Sequence, residues 1–363
     1  MNLQIGVGLL AAIVSIAADL LPLGGTAAAQ TAHDRVVSHY DRILVIVEEN
    51  KGYATIFERG LAPAIAGLAK TYGSATRMYA ERHPSEPNYV ALIGGDTFGI
   101  ADDDGWYCVP GSTAVGCKGS GAADYVPHLV EGPNLATQLQ AKGLDWKAYL
   151  ESIPAPGSLA MLSPETDTAP AGLYAAKHTG FTNFASVHAD PNLAKKLVGF
   201  DALRADLQSG NIPAFSLIVP NQCNEMHGVN SPKSPPDCAN GDEGLVRRGD
   251  AYVRDLIGLI QGSPIWANGN TAIVLTWDED GKLDRIPGSV QSCCVPIDAH
   301  NPGGGRIPTI VITNHGPRGV VDDTPYDHYS LLRTIEDALG LDGHLRHAGD
   351  ATVLPMTPLF AHP

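Results

Sequence analysis

The chain has 363 residues and carries 24 Lys and Arg against 39 Asp and Glu, a formal net charge of -15 at pH 7. That balance excludes a nucleic-acid partner held through its phosphate backbone and opposes loose docking on anionic lipid. An anionic substrate must therefore be attracted by the site itself, against the overall field.

The first thirty residues stand apart. Ile5 to Ala18 are almost wholly apolar, Pro22 and Gly24-Gly25 follow, and Ala27-Ala28-Ala29 supplies small residues for a signal peptidase. The expectation is a signal peptide over 1–29 and a mature start at Gln30. An uncleaved anchor is the competing reading, because the leader lacks Lys and Arg and Asp19 follows the apolar run. That run is shorter than the roughly 20 residues needed to cross a bilayer. The reading is a secreted or periplasmic protein with no stable membrane anchor after signal removal, its residues 30–363 forming one α/β domain.

In chain order, Ile43 to Val47 is a continuous β-branched run and reads as a buried strand, while Leu61 to Tyr72 has helical spacing and closes at Gly73. Ala214 to Val219, Thr271 to Trp277 and Ile307 to Thr313 also read as strands. Leu245, Gly249, Tyr252, Val253, Leu256, Ile257 and Ile260 recur at helical spacing, as do residues of Tyr329 to Leu339 before Gly340. Apolar strands alternating with amphipathic helices predict a mostly parallel sheet covered on both faces, a three-layer α/β/α sandwich. The stretches 101–132 and 281–305 show no sustained period and read as surface excursions.

The six cysteines fall in Gly/Pro-rich segments, as loop-stapling bridges do in an oxidising compartment. Cys108 with Cys117 and Cys223 with Cys238 are the short-loop pairings expected, and adjacent Cys293 and Cys294 are awkward partners for each other. No C-x-x-C spacing argues for zinc.

Ligands of open α/β sheets lie beyond the carboxyl ends of the strands. There the chain places Glu48-Glu49-Asn50, Asp278-Glu279-Asp280, and Pro220-Asn221 with Asn224, Glu225 and His227 close behind. Any one cluster is ordinary, since acidic residues after a strand often cap a helix or face solvent; their joint occurrence is not. Glu49, Asn50, Asp278 and Glu279 offer carboxylate and amide oxygens, which suit one divalent cation of the magnesium, calcium or manganese kind, with iron or zinc as alternatives.

The run His83-Pro84-Ser85-Glu86-Pro87-Asn88-Tyr89 adds a nucleophile. Pro87 suits a first helical turn, so Ser85 falls at the helix mouth. It either caps the helix or presents a hydroxyl where free N–H groups and the helix dipole stabilise a phosphate.

The S-x-P-N run resembles the nucleophile segment of the alkaline phosphatase superfamily. The fuller series I-V-E-E-N-K, H-P-S-E-P-N-Y, K-H-T-G-F-T-N-F, V-P-N-Q-C-N-E-M-H-G, T-W-D-E-D-G, I-P-T-I-V-I-T and D-H-Y-S-L-L-R-T-I-E resembles the bacterial phosphoesterase family of secreted acid phosphatases and phospholipases C. It runs in order from about Asp41 to Leu341, most of the mature chain. The resemblance implies an alkaline-phosphatase-like fold with Ser85 as nucleophile, Glu49, Asn50, Asp278 and Glu279 as metal ligands and Asn88 as a phosphate ligand. Lys177 and His178 would meet the phosphate or leaving group, and His227 would be the general acid. His83 would orient the Ser85 loop or meet substrate, and His328 would contact substrate or act as a cap.

Many relatives follow the acidic pair with G-G-F-Y-D-H, whereas Gly281-Lys282-Leu283-Asp284-Arg285 stands here. Two-metal members of the wider superfamily carry Asp-His where this chain has Asp278-Glu279, which favours a single cation. The implied activity is a secreted, metal-dependent acid phosphatase acting on small phosphate monoesters, phosphoinositides among them. The alternatives are a phosphodiesterase of phospholipase C type and a non-catalytic metal-binding protein.

Overall fold

The structure, a computed structural model, describes Met1 and residues 36–163, 172–229, 235–239, 241–285 and 291–361. The expected signal peptide, apart from Met1, lies outside the described residues.

Eleven strands are present among the described residues, in chain order β1 Arg42–Glu48, β2 Gly73–Tyr79, β3 Trp146–Leu150, β4 Leu162–Ser163, β5 Tyr174–Ala175, β6 Leu197–Val198, β7 Phe215–Val219, β8 Thr271–Trp277, β9 Arg306–Thr313, β10 Val320–Asp322 and β11 Tyr326–Asp327. Nine of them form one sheet in the order β10-β2-β9-β8-β1-β7-β3-β6, with β11 also on β2; β4 and β5 make a separate ladder. Every pairing in the large sheet is parallel except those of β9, which runs against both β8 and β2.

The centre of the sheet explains its own sequence. Val45 of β1 lies between Leu217 of β7 and Val274 of β8, and all three are fully buried. A strand covered on both faces has no solvent side to mark with polar residues, hence the unbroken apolar runs. Full burial of each such side chain contributes roughly 1.5–3 kcal/mol.

Helices cover both faces. The helix Glu86–Gly94 packs against His328–Ala338, Pro63–Thr71 packs against Gly241–Gln261, and Phe200–Ser209 lies on β3. The 21-residue helix Gly241–Gln261 buries Leu245, Gly249, Val253, Leu256 and Ile260 along one stripe. The three-layer α/β/α expectation therefore holds.

Several boundaries move by a residue or two, with visible causes. The helix expected from Leu61 begins at Pro63, whose fixed φ and missing N–H suit a first helical position. The 101–132 excursion contains no helix or strand, only one bridge between Val130 and Phe184. It is nonetheless fastened, by Cys108–Cys117 and by Asp104, whose carboxylate accepts N–H bonds from Lys118, Gly119 and Ser120. Cys223–Cys238 is also bridged as expected. The doubt about the adjacent pair is corrected: Cys293 and Cys294 are bonded to each other, with Cys294 in the left-handed region at φ 84°.

Register positions the site. Glu48 is paired with Trp277, so β1 and β8 end level and release Glu49 and Asp278 side by side. Because β9 is reversed, β2 runs with β8 and its carboxyl end opens on the same edge, where residues 80–85 lead into the helix beginning at Glu86.

Candidate active site

Ser85 occupies the N-cap of the helix Glu86–Gly94, but its backbone is already helical (φ -60°, ψ -49°) and its side chain makes no cap. Its Oγ instead donates to Glu49 Oε2 at 3.0 Å and is only 2% exposed. A capping role would aim the hydroxyl back at the helix N–H groups; this one is aimed across the sheet edge at a carboxylate.

The same Glu49 oxygen accepts from Asn50 Nδ2 at 2.8 Å, and the Asn50 N–H donates to Asp278 Oδ1 at 2.9 Å. Asn50 makes this bridge in the left-handed region at φ 56°. Gly281 allows the approach, since a Cβ there would lie 2.4 Å from the Asn50 carbonyl oxygen. Asp284 ties the two loops from outside, accepting from Gly52 N at 3.0 Å and from Thr55 N and Oγ1 at 2.8 and 2.7 Å. The Gly281–Arg285 departure from the family pattern thus has a structural use that sequence reasoning missed.

The carboxylates are costly as they stand. Burial pushes Glu49 well above the ordinary range, reinforced by Asp278 and Glu225. Burial and Glu279 push Asp278 up to about 7, offset in part by the Asn50 N–H and the Ser85 hydroxyl. Glu279 is raised by burial and relieved by His83. Glu49 Oε1 and Asp278 Oδ2 are buried with no hydrogen-bond partner. Such oxygens at one sheet edge fit a bound cation, whose charge would offset their desolvation.

Imidazoles lie on the far side of Glu49. His178 Nε2 is 3.2 Å from Glu49 Oε1, and its Nδ1 is 2.8 Å from Glu225 Oε1. Glu49, His178 and His227 each bring a donor atom within 4.8 Å of the others, a group that could hold a metal ion. Glu49 thus faces both groups, its Oε2 taking the Ser85 hydroxyl and the Asn50 amide N–H while its Oε1 lies against His178.

His178 is buried against Tyr89, their rings stacked at 5.5 Å, and burial together with Lys177 and His227 pushes it well below the usual histidine range. Gly180 (φ 66°) holds this segment against the Ser85 helix, where a Cβ would lie 2.4 Å from the Tyr89 carbonyl oxygen. His227 Nδ1 donates to the Gly228 carbonyl at 2.8 Å, which leaves Nε2 to face the site. Burial and Lys177 push His227 down to about 4. Burial disfavours the charge on Lys177, but Asp103 at 2.8 Å and Glu49 outweigh it, and the ammonium is retained.

Other candidates take different places. Asn88 accepts at Oδ1 from Glu81 N and Arg82 N, and donates from Nδ2 to the Arg82 and Pro84 carbonyls at 2.8 and 3.2 Å, so its amide clasps the 81–84 loop instead of facing a phosphate. His83 sits between Glu279 Oε2 at 2.5 Å and Asp280 Oδ1 at 3.3 Å. Burial disfavours its charge, but those two carboxylates hold it up at about 9, which makes it a support for Glu279. His328, expected to contact substrate or to act as a cap, is buried, with Nε2 3.0 Å from the Trp277 carbonyl and Nδ1 3.3 Å from Glu81 Oε1. The helix amides are corrected. Glu86 N–H goes to Asp103 Oδ1, Pro87 has none, and Asn88 N–H goes to the Ser85 carbonyl.

A cavity of about 350 Å³ opens beside Lys177 and His227. One wall is the excursion, through Asp103 and Lys118; the other is mostly apolar, with Met161 and Leu162. The residues of that first wall carry no periodic signal, which is why they escaped notice in the sequence.

The model of the phosphoesterase family matches residues 45–342. Among curated proteins, the chain is 29% identical over 303 residues to a phosphatidylinositol-3-phosphatase of Mycobacterium tuberculosis, covering 83% of this chain and 78% of that protein. It is 26% identical to a probable acid phosphatase of Kluyveromyces lactis (91% and 65% covered) and 24% identical to a hemolytic phospholipase C of Pseudomonas aeruginosa (81% and 40%). It thus spans less than two thirds of those two relatives. Among solved structures, an alkaline phosphatase superfamily protein from Vibrio parahaemolyticus superposes with a TM-score of 0.51 at 15% identity, covering 87% of this chain and 72% of that one. That likeness is one of fold.

Proposed function

We propose, from the premise that this chain belongs to the phosphoesterase family, that it is an exported, metal-assisted acid phosphatase hydrolysing phosphate monoesters through a phosphoseryl intermediate on Ser85. The observation that carries the reading is the buried Ser85 hydroxyl donating to Glu49 at 3.0 Å instead of capping its own helix. Relatives described as acid phosphatases and as a phosphatidylinositol-3-phosphatase support a small phosphate ester, phosphoinositide head groups included, as substrate.

Glu49, Asn50, Asp278 and Glu279 would hold the cation, a set suited to magnesium, calcium or manganese, with zinc or iron favoured if His178 and His227 also bind it. When bound, it supplies positive charge that polarises a phosphoryl oxygen and favours the ionised hydroxyl.

The chain's own groups then divide the work. Ser85 Oγ forms the bond to phosphorus as its hydrogen passes to Glu49 Oε2, and the ester P–O bond breaks. Lys177 meets the non-bridging oxygens, taking the place of the committed helix amides, while His178, held between Glu49 and Glu225, orients the Glu49 carboxylate. The departing alkoxide takes a proton from His227 Nε2, and its carbon skeleton lies in the cavity between the excursion and Met161. Water then attacks phosphorus, passing a proton to His227 Nε2, as the Ser85 Oγ–P bond breaks and Oγ takes back its hydrogen from Glu49 Oε2, releasing phosphate. Asn88, His83 and His328 fix the loops that carry Ser85, Glu279 and the end of β8.

Export is part of the proposal. No helix among the described residues is long and apolar enough to cross a membrane. The test is Ser85→Ala, which should abolish p-nitrophenyl phosphate turnover with an unchanged circular dichroism spectrum; retained turnover removes the nucleophile assignment. The 350 Å³ cavity leaves room for a second ester group, so comparing p-nitrophenyl phosphate with bis-p-nitrophenyl phosphate separates monoesterase from diesterase.

A further inference from the structure

His128 comes from the 101–132 excursion, is fully buried, and has both ring nitrogens against carboxylates: Nδ1 lies 3.1 Å from Glu86 Oε2 and Nε2 lies 3.1 Å from Asp102 Oδ1. Ionised carboxylates only accept, so both contacts are favourable together only when both nitrogens carry hydrogen, that is, in the imidazolium form. Burial disfavours that charge, but Asp102 and Glu86 outweigh it and hold the ring up at about 10. Tyr125 stacks over the ring at 5.7 Å.

The partner is informative. Glu86 immediately follows Ser85, opens the nucleophile helix and is 1% exposed. Asn183 Nδ2 donates both to its Oε1 and to the His128 carbonyl, fastening the pair. Glu86 is not one of the proposed cation ligands, so its charge needs a separate counterion. Without one, a buried carboxylate one residue from the nucleophile would repel an incoming phosphate dianion. The excursion, which also forms one wall of the cavity, delivers that counterion.

We propose that His128 is a positioning residue whose imidazolium cancels the charge of Glu86, so that a phosphate ester can be held next to Ser85. The inference rests on the Ser85 reading above and adds an electrostatic role for the excursion. Its signature is charge-specific. Loss of the imidazolium should weaken binding of anions at the site, and removal of the Glu86 charge should undo that loss. A purely structural role would make the second change additive instead of compensating.

The test measures kcat and KM for p-nitrophenyl phosphate, and Ki for inorganic phosphate, in the wild-type chain, His128→Gln, Glu86→Gln and the double variant. His128→Gln should raise KM and Ki at least tenfold with a smaller change in kcat, and the double variant should return both to within about threefold of wild type. Glu86→Gln alone, which keeps the imidazolium, should lower Ki for phosphate, and this holds the proposal to account if His128→Gln does not fold. An unchanged Ki in His128→Gln, a double variant no better than the single, or a raised Ki in Glu86→Gln overturns it. An inactive wild-type chain would instead overturn the phosphatase reading on which it rests.

Discussion

Ser85 and Glu49, 36 residues apart in sequence, meet at 3.0 Å because β1 and the reversed-neighbour strand β2 both open on the same edge of the sheet. Glu49 is shared between this hydroxyl, Asn50 and the imidazole of His178. Its replacement should therefore damage more than one function. Glu49→Gln keeps the shape but halves the acceptor capacity, and is expected to lower kcat by at least 100-fold while leaving far-ultraviolet circular dichroism unchanged. A variant within tenfold of wild type would remove Glu49 from the centre of the account.

Cation binding and pH should be linked through Asp278. Its folded-state value is raised to about 7 from an ordinary 3.8, chiefly by burial. A raised carboxyl contributes stability that is present below its unfolded value and lost as pH rises through the folded one. Chelator-treated protein is thus expected to lose stability as pH rises from about 4 to about 7. Added manganese or magnesium should restore it mainly above pH 7, where the carboxylate is ionised, by about 2.7 kcal/mol at 100 times Kd, a Tm shift of a few degrees. Thermal melts at pH 5 and 7.5, with and without the cation, check this. Equal shifts at both values would break the link.

Much of the framework was legible in the chain, for a physical reason. Strands β1 and β8 are covered on both faces, so ILVIV and TAIVLTW are short, unbroken apolar runs whose length and β-branched residues favour a strand. Strand β2, GSATRMY, lies outside β9 toward the edge and carries no apolar run, and β3 is short; neither was readable. Ser85 and the acidic pairs were legible because they stand at strand and helix ends. His128, Asp103 and Asp284 were not, since each acts through a partner 42 or more positions away, reached through aperiodic loops.

His227 supplies a pH signature of its own. Burial and Lys177 hold it down at about 4, and its Nδ1–H is committed to the Gly228 carbonyl. The proton on Nε2 therefore exists only in the charged ring, whose population grows as pH falls. Turnover of alkyl phosphates, whose leaving groups need that proton, should rise toward acid pH. Turnover of p-nitrophenyl phosphate should depend less on it. His227→Ala should accordingly cost at least tenfold more on glycerol phosphate than on p-nitrophenyl phosphate. Equal losses on both would reassign the general acid.

Lys177 keeps its charge through Asp103, and Asp103 also binds the Glu86 N–H. Lys177→Met should raise KM and phosphate Ki more than it lowers kcat on an activated ester. Ki values measured at 50 and 300 mM salt should differ less in the variant than in the wild type, since one attractive charge has gone. An unchanged Ki would place the lysine outside the phosphate subsite.

Asp284 carries a stability prediction. Its carboxylate accepts two backbone N–H groups and the Thr55 hydroxyl at the start of the helix Tyr53–Phe57. Asp284→Ala should cost about 1–2 kcal/mol in denaturant unfolding and weaken cation retention, because the same loop carries Asn50. Unchanged stability would show that the loops are held by other contacts.

The central claim is that Ser85 carries the phosphoryl group. Rapid mixing with a radiolabelled phosphate monoester, acid quench within milliseconds and peptide mapping test it directly. The account predicts acid-stable label on the peptide containing Ser85, absent in Ser85→Ala. Active enzyme that yields no phosphoserine at that position, or label on another residue, would contradict it.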